Sequence, residues 1–216
     1  MRKSGISESV YFAENTVNSI VIENAPLFLS LCKDIYSQIN GTAGYSVLSV
    51  NNIPVEMSKN AELISTFVPF SANRKTLINR IISVLEKRAM NDEFYVKTAQ
   101  LLSEAEKYML ELMYDIPGEP ECENISISAF LKAAGIRLRE DGDETERISD
   151  YMELVRELEK DRLFINMRSY FSFEQMTEFI KTVLSHKFRI LLIDNKEYPR
   201  LENEKRIVID EDLCEI

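Results

Sequence analysis

Apolar residues recur along this chain in two different rhythms. In NSIVIEN (18–24) they run together, which predicts a short buried strand. Leu27, Leu31, Ile35 and Ile39 then recur every fourth residue between Ala25 and Asn40, a single stripe on a helix that Gly41 would end. YSVLSV (45–50) and AELISTFVPF (61–70) are two further strand candidates, the latter stopped by Pro69. From Asn73 to Tyr114 there is neither Gly nor Pro, and two helical stripes follow one another. Leu77, Ile78, Ile81, Ile82 and Leu85 mark the first; Phe94, Leu101, Ala105, Tyr108 and Leu112 mark the second. With Asn91 and Asp92 as the cap between them, the second helix would extend to Tyr114. It would be roughly 35 Å long at about 1.5 Å per residue, more than is needed to cover a small sheet, so a protruding helical arm is expected.

Beyond the loop DIPGEPECEN (115–124) the rhythm returns to short elements. ISISAFLKAAGI predicts a short helix ended by Gly135. Asp143 with Glu146 reads as a capping box opening a helix to about Leu158, and Ser172 with Gln175 as another opening Phe173 to Ser185. RLFIN, that second helix and ILLID make a strand–helix–strand unit long enough for a parallel crossover. RIVIDED is read as a last edge strand, and SVYF (9–12) stands as the candidate for an opening one. The fold class is therefore α/β with a helical arm.

Composition narrows the function classes. The chain has 216 residues, 45% apolar, and no run of about eighteen apolar residues; its polar start MRKSGISESV does not resemble a signal peptide. A soluble cytoplasmic protein with no membrane partner is expected. Three scattered cysteines, Cys32, Cys122 and Cys214, give neither a disulfide framework nor a CxxC metal site. The net charge of −10 argues against a surface that is basic throughout. It leaves room for a local basic patch, which the symmetry of an oligomer would multiply.

ILLID carries an acid, Asp194, at the end of an apolar run, as the metal-binding strand of P-loop nucleotide hydrolases does. Such an enzyme also needs a glycine-rich cradle followed by Lys. None of the six glycines has that spacing, and Pro26 stands where the cradle would begin. Asp194 is accordingly read as a strand-end residue capping a turn. His186 is a lone histidine at a helix end, Cys32 lies in an apolar helix, and no GxSxG is present. An EF-hand begun at Asp141 fails because Glu146 and Met152 stand where Gly and Glu are required. No catalytic residues are expected. Glu119, Glu121 and Glu123 alternate along a stretch extended by Pro117 and Pro120, which would set three carboxylates on one side. Calcium suits such a set; an exposed acidic turn is the competing reading.

Over nearly the whole chain after residue 18, the succession SIVIENAPLFLSLCKDIY, FVPFSANRKTLINRIISVLE, ISISAFLKAAGIRLRED and LEKDRLFINMRSYFSFEQMTEFIKTVLSHKFRILLIDNKEYPRL resembles the Csn-two proteins of type II-A CRISPR systems, in their short form. The resemblance implies a head similar to P-loop ATPases, with a mainly parallel sheet but no Walker A cradle, and an inserted elongated helical leg. On this chain the head would comprise 1–70 and 125–216 and the leg 71–124. It further implies a non-catalytic homotetrameric ring, stiffened by calcium, that binds double-stranded DNA ends without sequence preference. That ring would act in spacer acquisition, in antiviral defense, beside the adaptation integrase and the effector nuclease.

Carried onto this sequence, the resemblance makes Glu119, Glu121 and Glu123 calcium ligands, with Asp115 as a fourth. Its basic lumen points to Lys59, Arg74 and Lys75, where the arm leaves the head, and to Arg137 with Arg139, which alternate on an extended stretch. Solvated surface charge is the competing reading of each. The alternative function is a degenerate ATPase-like adaptor that docks protein partners through the arm near Tyr108, Met109 and Met113.

Overall fold

The run that reads as a buried strand forms β1 (Val17–Ile22), every residue of it buried. It lies inside an all-parallel sheet with β4 (Ala61–Ile64), β5 (Asp161–Ile165), β6 (Ile190–Asp194) and β7 (Glu204–Ile209), in the order β4-β5-β6-β1-β7. Parallel strands covered on both faces need apolar side chains on both, which is why ILLID and VNSIVI read as continuous runs rather than as alternation. In the computed structural model, residues 9–13, 15–67, 70, 71, 73, 75–118, 120–122, 124–138, 142–156 and 160–216 are described.

Register and alternation assign the two faces. Ile20 pairs with Ile193 and Ile207, and Leu163 with Leu191. These residues share one core cluster with Leu31 and Ile35 of α1 (Ala25–Ile39) and Met57 of α2 (Met57–Asn60). The expected α1 stripe is thus the buried one. Its start is set by Asn24, whose side chain accepts the Leu27 N–H at 3.0 Å, and its end by Gly41 at φ +83°. The other face carries Phe164 edge-on to Phe179 at 5.7 Å, with α7 (Phe173–Ser185) packed against α6 (Glu144–Leu154). Burying a side chain such as Phe179 contributes about 1.5–3 kcal/mol.

Several local expectations change. YSVLSV does not enter the main sheet. Only β2 (Leu48–Val50) is strand, paired antiparallel with β3 (Ile53–Val55) in a separate hairpin. Asn51 and Asn52, at φ 52° and 62°, supply the left-handed turn that such a hairpin needs. SVYF forms no strand; Val10 is buried and Phe12 packs on the core. The cap of α6 is Asp143 on Thr145 N–H at 2.8 Å rather than a box with Glu146. α6 ends at Leu154, four residues before the expected point, because Val155 leaves the helical conformation. The Ser172–Gln175 box of α7 is present, and Gln175 also donates to Asp143 at 2.6 Å, tying the two helix starts together.

The chain divides into two compact units, residues 1–70 with 141–216 and residues 71–140. The second holds α3 (Lys75–Ala89), α4 (Tyr95–Met113) and α5 (Ile127–Ala133). α3 packs on α5 and buries Leu77 and Ile82. α4 starts at Tyr95 rather than Asp92, because Asn91 caps a turn at Phe94 instead of the helix itself. Its 19 residues span about 28 Å at about 1.5 Å each. Among the described residues no helix is long and apolar enough to cross a membrane.

Candidate functional site

Asp194, the acid at the tip of β6, is fully buried and caps no turn; its Oδ2 accepts a hydrogen bond from Arg168 Nε at 2.8 Å and lies 2.7 Å from Nη2 of the same guanidinium in an ion pair. Arg168 follows β5 in a 3₁₀ turn, Met167–Ser169, that begins at Asn166 in the left-handed conformation. The Asn166 N–H donates to Ile193 O at 2.8 Å and its Oδ1 accepts Asn195 N–H at 3.1 Å. Those bonds bind the turn to the end of β6 and aim the guanidinium at Asp194.

The same guanidinium reaches Glu204 Oε1 at 3.0 Å, and Glu204 is the hub of the cluster. It accepts Arg206 Nε at 2.9 Å, Arg206 Nη2 and Leu201 N–H at 2.8 Å each, and the Ser19 hydroxyl. Burial pushes the Asp194 carboxyl up, with Arg168 only partly opposing it. Burial also acts to raise Glu204, but hydrogen bonds from Arg206, Ser19 and Leu201 and the charge of Arg168 bring it below the usual range. A carboxylate so engaged would have to abandon a buried ion pair before it took a metal ion. The loop after β1 is similarly occupied: Asn24 caps α1 and its Nδ2 donates to Glu211 O at 2.9 Å. Sequence reading missed Arg168, Glu204 and Arg206. The available signal was EKRIVI, where Glu204 and Arg206 alternate onto one face of an apolar strand.

The expected basic residues fall into two groups. Lys59 lies in the unit of the sheet, exposed and ion-paired with Glu56 at 2.7 Å. Lys75, at the start of α3, and Arg137, after α5, are exposed in the other unit. They are 62 positions apart, 137 minus 75, yet their segments are joined. Asn73 Nδ2 donates to Leu138 O at 3.1 Å, and Leu138 N–H returns to Asn73 Oδ1 at 2.8 Å. Arg74 and Arg139 lie outside the described residues.

Of the expected calcium ligands, Glu119 and Glu123 also lie outside the described residues, while Asp115 and Glu121 are exposed. Asp115 stands at φ 69° just past α4 and Gly118 at φ 99°, so the chain turns within this loop. Carboxylate oxygens alone are the donor chemistry of a hard cation. Among the described residues, no three His, Cys, Asp or Glu side chains come together.

His186 caps the end of α7, with Nδ1 at 3.1 Å from Thr182 O. Along α4 the expected stripe faces outward, with Leu101, Leu112 and Tyr108 exposed, the last by 61%.

No curated protein matches the chain. The model of the family described as CRISPR-associated protein (Cas_Csn2) matches residues 38–213, a span that takes in the sheet strands β4 to β7, the joined basic segments and the acidic loop, and the chain belongs to that family.

Proposed function

We propose that this CRISPR-associated protein is a non-catalytic ring that holds double-stranded DNA ends during spacer acquisition, alongside the adaptation integrase and the effector nuclease. The observation that carries the DNA contact is the reciprocal Asn73–Leu138 pair. It joins the residue two before Lys75 to the residue after Arg137, and cations on joined segments meet successive phosphates without reading bases. The non-catalytic role is supported by the engagement of Asp194 with Arg168 and by the self-capped loop after β1. The exposed apolar side chains of α4 support assembly, since such a helix face is stable when covered by another surface. The homotetramer is the assembly proposed. Glu119, Glu121, Glu123 and Asp115 would hold calcium in the loop that follows α4, and Lys59 is a separate candidate for phosphate contact.

The test is competition between linear and covalently closed circular duplexes of one sequence, with a scrambled linear duplex beside them. Linear and scrambled DNA should compete equally and closed circles much less well. Equal binding of circles would rule out threading. A second reading, an adaptor for protein partners, is favoured by the exposure of Tyr108 and Met109 on α4. Mass in solution separates the two, since a monomer that binds no duplex is the adaptor.

A further inference from the structure

An open cleft of about 620 Å³ lies beside the edge strand β7, lined in part by Asn18, Lys205, Arg200 and Tyr11. Its size is that of a small-molecule cleft. Asn18 and Lys205 are opposite one another in the β1–β7 register, so their side chains leave the sheet on the same face. Asn18 is only 4% exposed, and its Nδ2 has no hydrogen-bond partner. A donor in that state has lost its hydration without replacement, and an acceptor brought by a ligand would repair it.

The charge around this donor is one-sided. Lys205 and Arg200 are exposed at the opening. The carboxylate of the lining, Glu204, is already engaged by Ser19, Arg168, Arg206 and the Leu201 N–H. It belongs to the opposite face, where Arg206 and Ser19 pair in register. A second basic hollow, of about 410 Å³ around Arg156, Lys160, Arg162 and Arg189, offers a contrast. Those four cations are spent on Glu153, the Ser58 carbonyl, Glu62 and Asp161 respectively.

We propose that the cleft at Asn18 binds a phosphate group. The Asn18 Nδ2–H donates to one phosphate oxygen at the buried end, and Lys205 and Arg200 neutralise the charge from the exposed end. The volume beyond the phosphate accommodates the rest of an ester, which is either a free nucleotide or the phosphorylated end of a DNA strand. The site is in the sheet unit and does not depend on the joined basic segments of residues 71–140.

Calorimetric titration of the full chain with inorganic phosphate, deoxyadenosine monophosphate, and short duplexes with and without 5′-phosphate tests it. Saturable binding of inorganic phosphate is expected. Asn18→Asp, nearly isosteric but repelling an anion, and Lys205→Gln should each weaken it at least about tenfold, while Lys160→Gln in the other hollow should not. Tighter binding of the mononucleotide than of phosphate supports the site and assigns a free nucleotide. A preference for the 5′-phosphorylated duplex that Lys205→Gln removes supports it and assigns a DNA end. Circular dichroism checks folding, and Lys205→Gln, an exposed position, decides the matter should Asn18→Asp not fold. No saturable binding of inorganic phosphate, the mononucleotide or the 5′-phosphorylated duplex, or unchanged affinity in Lys205→Gln, overturns the proposal.

Discussion

Glu204 concentrates more of the internal electrostatics than any acid the sequence singled out. Because its folded pKa lies below the ordinary value, it contributes stability above the unfolded carboxylate pKa of about 4.3. That contribution is lost as pH falls through the lower folded value. Asp194 acts in the opposite sense. Its raised pKa favours the fold below the unfolded value of about 3.9 and withdraws that support as pH rises through the folded value. Glu204→Gln should therefore lower unfolding free energy at pH 7 by about 3–5 kcal/mol and make stability less sensitive to acid below about pH 4. Denaturant titrations at both pH values check this, and undiminished acid sensitivity would show that Glu204 is not the hub. Gly44 is the other decisive single position. A Cβ there would collide with the Asp34 carboxylate and the Gln38 chain, and Asp34 holds the Tyr45 and Ser46 N–H groups at 2.7 and 2.8 Å. Gly44→Ala should cost about 1–3 kcal/mol, read as a lower melting temperature.

At the scale of elements, helix starts were legible where the cap is local in sequence and less so where it is shared. Ser172 and Gln175 close their box within one turn; Ser172→Ala should cost about 1 kcal/mol in chemical denaturation. Asp143 instead caps at Thr145 and accepts from Gln175, 32 positions away, so the spacing to Glu146 was a misleading guide. The β2–β3 hairpin escaped for a similar reason. Two asparagines carry its turn in place of the glycine that usually signals one. Asn73 performs the equivalent joining in the helical unit. Asn73→Ala leaves the Leu138 N–H and C=O without that partner and should cost about 1–3 kcal/mol. Proteolysis should cut beside Leu138 faster, and an unchanged cleavage rate would show that other contacts hold that residue.

For the molecule as a whole, net charge and local charge point in opposite directions. A surface of net −10 repels a polyanion at long range, so duplex binding must come from clustered cations and must weaken steeply with salt. Arg74→Glu with Lys75→Glu should weaken linear duplex binding and flatten the dependence of log affinity on log salt, leaving the assembly mass unchanged. Unchanged affinity would place that pair away from DNA. Calcium should raise the melting temperature saturably, and Asp115→Asn with Glu121→Gln should reduce the rise. A flat response in the parent protein would remove calcium from the assembly.

By itself the sequence determined the α/β class, the buried strands 17–22 and 190–194 and the two long helices, because burial on both faces or on one stripe imposes a periodicity that neighbours in sequence share. It also pointed to family membership, carried by the succession of those segments. The tertiary structure alone decided that Asp194 belongs to Arg168, that Arg168 and Ser19 both reach Glu204, and that residues 73 and 138 meet. Those pairings join positions separated by 26, 36, 185 and 65 residues. Nothing in a local pattern encodes which distant charge a buried carboxylate will find, since that follows from how the strands are ordered and which loop crosses them.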